Sequence, residues 1–251
     1  MMTDRWIDLN ADLGEGTGND AAMMQYVSSA NIACGGHAGD DDTIQQSIDL
    51  ALKNEVTIGA HPGFEDKENF GRKQLHLTSA ELSNQILRQL ERFEGWAQKA
   101  NTTTKYVKLH GALANMTAAD FDLALTAYKA IQSFRIDMPI LALANSQQTA
   151  AAKQLSLPVF DEAFADRAYT DDGQLASRAI EGAVLTQDKA VLEHVTYLLT
   201  TGSVNTISGG ELKLPTQSIC LHGDNAHAVQ LAKRISETIK ALGINIKSFA
   251  N

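Results

Sequence analysis

The sequence has few cysteines and no long apolar run. Its 251 residues include two cysteines, Cys34 and Cys220, which frame neither a metal-binding nor a disulfide spacing. No segment approaches the roughly 18 apolar residues of a membrane span, and the first residues lack the apolar stretch of a secretory leader. These absences argue against a secreted or membrane-embedded protein. Two thiols in a chain of this size fit a reducing compartment, so we expect a cytoplasmic protein.

Clustered positive charge is absent as well. The 21 lysine and arginine residues are outnumbered by 30 aspartates and glutamates, which gives a net charge of −9, and no run of basic residues occurs. A surface for nucleic acid or for an anionic membrane would need such a run, so neither is an expected partner. No linker rich in proline, glycine and serine divides the chain, and no internal repeat is found. We therefore expect a single domain over residues 1–251.

Short apolar runs alternate with longer amphipathic ones along the whole chain. The predicted strands are Trp6–Leu9, Asn31–Cys34, Thr57–Ala60, Tyr106–Leu109, Ile140–Ala144, Pro158–Phe160 and Ser218–Leu221, with Ala183–Leu185 as a weaker one. The predicted helices are Thr43–Asn54, Ser79–Ala100, Asp188–Thr201 and Ala226–Leu242, and Ser79 is the expected cap of the second. This alternation predicts an α/β protein with a parallel sheet, and it fits a closed barrel or an open doubly wound sheet.

Four of the seven histidines come one to three residues after predicted strands, each within two residues of a glycine. They are His37, His61, His110 and His222. Because the carboxyl ends of parallel strands share one face of the sheet, we expect these imidazoles to form one polar site there. The other histidines lack this position, and we expect His76 and His194 to face solvent. The two cysteines are expected to be buried as small apolar side chains.

The first strand carries polar residues on one side. Asp8, Asn10 and Asp12 share that side because strand side chains alternate with period two, so they should face the interior of the sheet or the site. Asp8 is either a structural acid paired with a buried lysine or arginine, or part of the site. Asp12 and Glu15 lie nearer the carboxyl end of the strand and are the better functional candidates.

Several segments together resemble the LamB/YcsF family. They are Asp8–Glu15, Ser29–Asp40, Ile58–Phe64, Phe70–Arg72, Val107–Lys108, His110–Leu113, Glu162, Phe164–Tyr169, Cys220 and His222–Asp224. They occur in the family's order and cover nearly the whole chain. Three positions depart from the family pattern. Leu109 stands where a proline is usual, Ala114 where a tyrosine is usual, and Lys73 where a second arginine is common.

The resemblance implies a distorted single-domain (β/α) barrel of about seven strands, similar to the polysaccharide-deacetylase superfamily. It also implies a cyclic amide hydrolase, the A component of an ATP-hydrolysing 5-oxoprolinase. That enzyme opens 5-oxo-L-proline to L-glutamate, consumes ATP and acts with subunits B and C. The chain has no Gly-x-x-x-x-Gly-Lys-Ser/Thr segment for nucleotide phosphates, so we expect the partners to perform the ATP-dependent activation. ATP is then a substrate of the whole complex.

Ring opening needs proton-transfer groups and groups that neutralise anionic oxygens. The catalytic candidates are Asp12, Glu15, His37, His61, His110, Asp166 and His222. The candidates for binding substrate or phosphate are Asn10, Gly35, Gly36, Arg72, Lys108, Gly111, Glu162, Arg167 and Asp224. Asp12, His61 and His110 would also suit a divalent metal such as Zn²⁺, whose requirement the sequence leaves open.

Two other functions stay open at this point. The chain could be a metal-dependent deacetylase or amidohydrolase that acts alone on a sugar or small amide. It could also be a substrate-holding subunit with no chemistry of its own.

Overall fold

Seven parallel strands close into a barrel in the computed structural model, which describes residues 5–222 and 226–250. In barrel order they are β1 (Trp6–Leu13), β2 (Ser29–Ala33), β3 (Thr57–His61), β4 (Tyr106–Val107), β5 (Ile140–Leu143), β6 (Val159–Phe164) and β9 (Ser218–His222). The pairing of β9 with β1 closes the ring, in parallel register with Asp8 opposite Ser218. The barrel is therefore confirmed, and the open doubly wound sheet is excluded.

Three further strands stand outside the barrel ring. β7 (Ser203–Asn205) and β8 (Glu211–Lys213) form an antiparallel pair, and β10 (Asn245–Ile246) pairs with the first residues of β1. The strand predicted at Ala183–Leu185 is wrong. That segment is a turn and bend region in which only Val184 forms an isolated bridge, to Arg167. A run of three residues is too short to distinguish a strand from a buried turn.

Eight helices connect the strands within the described residues. They are α1 (Asp20–Met23), α2 (Asp41–Lys53), α3 (Ser79–Lys99), α4 (Gly111–Ala119), α5 (Phe121–Phe134), α6 (Gln147–Gln154), α7 (Asp188–Thr201) and α8 (Ala226–Ala241), with a 3₁₀ turn at Lys67–Asn69. The expectation that Ser79 caps α3 is wrong. Thr78 is the cap, because its hydroxyl accepts from the Glu81 amide while the Glu81 carboxylate accepts from the Thr78 amide.

The apolar faces of the helices cover the outside of the barrel. Ile44 and Ile48 of α2, and Ile86, Leu90 and Phe93 of α3, are fully buried. Each such side chain contributes about 1.5–3 kcal/mol relative to an exposed one. Along β1, Leu9, Ala11 and Leu13 belong to the same apolar core, which leaves the alternate residues for the interior of the barrel. No helix among the described residues combines the length and apolarity needed to cross a membrane.

Candidate active site

A cavity of about 480 Å³ lies at the carboxyl ends of the strands. Its polar lining includes Asp12, Glu15, His61, Lys108, His110 and Glu162, which come from β1, β3, β6 and the segments that follow β1 and β4. Apolar side chains from β5, β6 and α4 form another part of the wall. The parallel strand order predicted this convergence, since each of these residues lies at or just beyond the carboxyl end of a strand.

Lys108 joins two carboxylates inside the barrel. Its Nζ atom donates to Asp12 Oδ1 and to Glu162 Oε1, at 2.9 Å in both cases, and lies 3.1 Å from Cys220 Sγ. Burial by itself would lower the pKa of Lys108, but the surrounding anionic groups, Asp12 foremost, raise it well above its usual value. Burial raises the pKa of Glu162, and the Lys108 charge opposes that effect. Lys108 is therefore a fixed cation that holds Asp12 in place.

Asp12 is oriented by a second donor that the sequence analysis did not identify. The Asn31 amide donates to Asp12 Oδ1 at 2.8 Å and to Asn10 Oδ1 at 2.6 Å, and the Tyr106 hydroxyl donates to Asn31 Oδ1 at 2.6 Å. The other carboxylate oxygen of Asp12 lies 3.3 Å from His61 Nε2. Asn31 is a polar residue inside an otherwise apolar run, and this was the signal in the sequence that pointed to it.

Three histidines and Glu15 form the second part of the site. The rings of His37 and His110 stack with centroids 3.5 Å apart and an interplanar angle of 5°. Glu15 Oε1 lies 3.2 Å from His37 Nε2 and 3.5 Å from His110 Nδ1. Burial, reinforced by neighbouring His61, lowers the pKa of His37 and of His110 to about 3. Both rings are therefore neutral at physiological pH and can offer lone pairs.

Two carbonyl groups fix which nitrogens carry those lone pairs. His61 Nδ1 lies 2.9 Å from the Lys108 carbonyl, and His110 Nε2 lies 3.0 Å from the Phe70 carbonyl, so each of these nitrogens must donate a proton. The opposite nitrogens, His61 Nε2 and His110 Nδ1, are 3.0 Å apart. In this tautomer, neutral forms of the two rings present a lone pair to each other.

The resulting excess of acceptors fits a metal cation. One atom each from Glu15, His37, His61 and His110 lies within 4.8 Å of the others. Imidazole nitrogens backed by carbonyl groups, together with one carboxylate, are the ligand types that Zn²⁺ and similar ions take. This group shares His61 and His110 with the set expected from the sequence, whereas Asp12 is held instead by Lys108.

Several residues singled out in the sequence occupy other positions. Gly111 lines the cavity, but Gly35 and Gly36 are outside its lining and pack so closely on α3 that a Cβ atom would lie 1.9 Å from Arg92 and 2.3 Å from Gln89, respectively. Asn10 is buried below the cavity, where it donates to Glu162 and Ser218. Asp166 is half-buried and lies outside the cavity lining.

Two arginines and the residues at the end of β9 were also singled out in the sequence. Arg72 and Arg167 both line the cavity, and Arg72 also lies over the ring of Phe70. The backbone of His222 pairs opposite Asp12 in the barrel, but its side chain and Asp224 lie outside the described residues.

The expectations for His76 and the two cysteines are confirmed, and the one for His194 is wrong. His76 is exposed as expected, and Cys34 and Cys220 are buried. His194 was expected to face solvent, which is wrong: its ring stacks on Tyr169 at 6.3 Å, and burial lowers its pKa.

Comparisons with known proteins agree over nearly the full length. The LamB/YcsF family model matches residues 7–251. A protein from Campylobacter jejuni, named as the A component of 5-oxoprolinase, is 40% identical over 250 residues, which cover 98% of each chain. Another of that name, from Erwinia tasmaniensis, is 42% identical over 242 residues, covering 96% of this chain and 99% of that one.

Solved structures support the fold independently. The crystal structure of a lactam utilization protein from Thermus thermophilus superposes with a TM-score of 0.91 at 31% identity, covering 97% of this chain and 100% of that one. A peptidoglycan deacetylase from Bacillus subtilis gives a TM-score of 0.53 at 9% identity, covering 98% and 89%, and so shares the barrel fold alone.

Proposed function

This chain belongs to the LamB/YcsF family, and on that premise we propose that it opens the ring of 5-oxo-L-proline as the A component of an ATP-dependent 5-oxoprolinase. The observation that carries the proposal is the oriented Asp12 carboxylate, held by Lys108 at 2.9 Å beside the histidine cluster in one cavity. The relatives that carry the 5-oxoprolinase name support the choice of substrate. Subunits B and C are the proposed partners.

The chemistry explains the need for ATP and for partners. A five-membered lactam is an unstrained amide, so its carbonyl carbon is a poor electrophile. Phosphorylation of the amide oxygen would make that carbon open to attack by water. The sequence holds no P-loop, and we assign this activation to the partner subunits.

Within this chain, Asp12 is the proposed general base. As water adds to the activated ring carbon, Asp12 takes a proton from the water, and the carbon–nitrogen bond then breaks. The same proton goes to the departing ring nitrogen, which leaves as the amine of an acyl phosphate, and a second water then releases L-glutamate and phosphate. Lys108, 2.9 Å from Asp12, neutralises negative charge that develops on oxygen.

We further propose that Glu15, His61 and His110, with His37, hold a divalent cation. The observations behind this assignment are the facing nitrogens of His61 and His110, 3.0 Å apart, and the convergence of one atom from each of the four residues within 4.8 Å. A cation bound there would lower the pKa of water and polarise a carbonyl oxygen. The Lys108 and Phe70 carbonyls would keep both rings in the tautomer that leaves the facing nitrogens unprotonated.

The function is tested by assaying glutamate formation in a complex reconstituted with subunits B and C, 5-oxo-L-proline and ATP. We expect glutamate only when all components are present. Arg88→Gln is the matched control, because Arg88 forms an exposed ion pair with Glu65 and lies outside the cavity lining. Lactam or amide hydrolysis by the chain alone, without ATP, would instead favour a stand-alone amidohydrolase. Unchanged turnover after Asp12→Asn would favour a substrate-holding subunit.

The metal site is tested without any activity assay. We expect the purified full-length chain to bind about one equivalent of Zn²⁺ or Co²⁺, with a Co²⁺ absorption spectrum typical of nitrogen and oxygen ligands. His110→Ala should weaken binding by ~100-fold or more, whereas His76→Ala, at an exposed histidine, should not change it. A chain that takes up neither ion contradicts the assignment.

A further inference from the structure

Tyr106 is a fully buried tyrosine that lies outside the cavity lining and is joined to the site by hydrogen bonds. It is the first residue of β4, and Lys108 follows the last one, so the two side chains leave the chain on the same side. Lys108 contacts Asp12 directly, at 2.9 Å. The Tyr106 hydroxyl reaches Asp12 through one intermediate, the side chain of Asn31. One short stretch of chain therefore holds Asp12 in two ways.

The partners of Asn31 fix the direction of its amide. Asn31 Oδ1 accepts from the Tyr106 hydroxyl at 2.6 Å. Asn31 Nδ2 donates to Asp12 Oδ1 at 2.8 Å and to Asn10 Oδ1 at 2.6 Å. Asn10 is oriented in turn, because its own nitrogen donates to Glu162 Oε1 at 2.9 Å, which leaves its oxygen facing Asn31. The nitrogen of Asn31 thus faces two acceptors and its oxygen faces a donor, as the chemistry of an amide requires.

The ring of Tyr106 is itself held in place. Gly59 of β3 is its partner in the strand register, and a Cβ atom at Gly59 would lie 2.3 Å from the ring. The missing side chain is what lets the ring lie against β3. Phe249 packs edge-on against the same ring, with centroids 4.8 Å apart and an interplanar angle of 62°. Burial foremost raises the pKa of Tyr106 well above its usual value, so the hydroxyl keeps its proton and donates.

We propose that Tyr106 is a positioning residue for ring opening, because its hydroxyl holds the Asn31 amide and Asn31 holds the carboxylate of Asp12. This inference rests on the proposed function, in which Asp12 is the base. Tyr106 does not touch the substrate in this proposal, and its effect on the reaction passes through Asn31. A tyrosine that only stabilised the barrel would change the free energy of unfolding and leave the turnover of folded molecules alone.

The first test is Tyr106→Phe, which keeps the ring and removes the hydroxyl. The Asn31 amide is then held from one side only. We expect kcat per folded molecule in the reconstituted complex to fall ~3- to 10-fold, as for one lost neutral hydrogen bond. The KM for 5-oxo-L-proline should stay within about twofold, because Tyr106 lies outside the cavity lining. Urea unfolding gives the folded fraction of each variant.

Tyr128→Phe is the matched control. Tyr128 is also fully buried, and its hydroxyl has no hydrogen-bond partner among the residues that the structure describes. It lies on α5, outside the barrel interior. Removal of this hydroxyl should leave both kcat and KM at the wild-type values.

A double-mutant cycle tests whether Tyr106 acts through Asn31. Asn31→Ala should lower kcat more than Tyr106→Phe does, and the double variant should lose no more activity than Asn31→Ala alone. A second measurement needs no activity. By NMR of the isotope-labelled full-length chain, the side-chain amide protons of Asn31 should exchange with solvent faster in Tyr106→Phe than in the wild type. Tyr128→Phe should leave that exchange unchanged.

Three results would overturn the proposal. One is a Tyr106→Phe variant with the kcat of the wild type, which would make Tyr106 a purely structural residue. Another is a cycle in which the losses from Tyr106→Phe and Asn31→Ala add. The third is an unchanged exchange rate of the Asn31 amide in Tyr106→Phe. A wild-type complex that forms no glutamate would count against the proposed function, whereas the exchange measurement would still decide whether Tyr106 holds Asn31.

Discussion

The two ends of the barrel interior hold buried acids in opposite states. At the amino end, Asp8 accepts hydrogen bonds from the hydroxyls of Ser28, Ser29 and Ser218, and these four residues are called the lower layer. At the carboxyl end, Asp12, Glu15, His61 and His110, called the upper layer, bring acceptors into contact with one another. The lower layer joins one acid to hydroxyl donors, whereas the upper layer places two carboxylates beside imidazole nitrogens that can hold a cation or exchange a proton.

The partners of its oxygens distinguish a structural buried acid from a functional one better than burial or residue type does. Asp8 and Asp12 lie on the same side of the same strand, four residues apart. Among the residues that the structure describes, Asp8 has neither the lysine nor the arginine partner considered from the sequence, and serine hydroxyls take that place. A buried acid whose oxygens are all satisfied contributes to stability, whereas one that faces further acceptors can exchange protons or bind a ligand.

The largest expected effect is on turnover at the upper layer. Asp12→Asn keeps the shape of the side chain and an oxygen for Lys108, but it removes the proposed base. We expect kcat in the reconstituted complex to fall by ~10²- to 10⁴-fold, with only a partial loss in the free energy of unfolding, because Lys108 keeps Glu162 as an anionic partner. Steady-state kinetics and urea unfolding measure the two quantities. If stability fell and turnover did not, the functional interpretation of the upper layer would be wrong.

The next effect is on stability at the lower layer. Asp8→Ala leaves the buried hydroxyls of Ser29 and Ser218 and the half-buried hydroxyl of Ser28 without this acceptor, so we expect the free energy of unfolding to fall by about 2–4 kcal/mol. The kcat per folded molecule should stay within about twofold, since no reacting group is removed. Urea unfolding of the variant beside wild type measures the loss. A large drop in kcat at unchanged stability would erase the distinction between the layers.

A pH series sharpens the same comparison. Burial raises the pKa of Asp8 from 3.8 to about 6, and the serine hydrogen bonds only partly oppose it. Because the folded-state pKa lies above the unfolded one, the stabilising contribution is complete below pH 3.8 and is lost as the pH rises through 6. The stability of the wild type relative to Asp8→Asn should therefore fall by on the order of 2–3 kcal/mol between about pH 4 and 7. Unfolding curves at several pH values would refute this if the difference were constant.

The sequence could predict that the residues at the strand ends form one site, because parallel strands place their carboxyl ends on one face of the sheet. That rule brought Asp12, Glu15, His37, His61 and His110 together. The donors that orient them were not predictable in detail, since the contact of Asn31 with Asp12 depends on the register of β1 and β2, in which these two residues are opposite. The proton positions of the histidines depend on the distant carbonyls of Lys108 and Phe70, which no local pattern reveals.

The incorrect predictions for His194 and for the strand at Ala183–Leu185 have a common physical origin. His194 lies on α7, whose sequence shows an ordinary amphipathic helix, but Tyr169 from the segment after β6 covers its ring. The weak strand at Ala183–Leu185 belongs to that same segment, where Arg167 and Tyr169 form isolated bridges rather than a ladder. Irregular chain that folds back on a regular scaffold leaves no periodic signal in the sequence.

The smallest predicted effect lies outside both layers. Thr78→Ala removes the side-chain cap of α3, so we expect a loss of about 1 kcal/mol in the free energy of unfolding, which Thr78→Ser should largely restore. The helix also carries Gln89, which contacts Gly63 near His61. The side-chain oxygen of Gln89 accepts from the Gly63 amide, and its side-chain nitrogen donates to the Gly63 carbonyl. Gln89 lies about three turns beyond the cap, so fraying of the first turn should not reach the upper layer. We therefore expect kcat to stay at the wild-type value in both variants, and a fall in kcat for Thr78→Ala alone would show that the upper layer depends on the whole of α3.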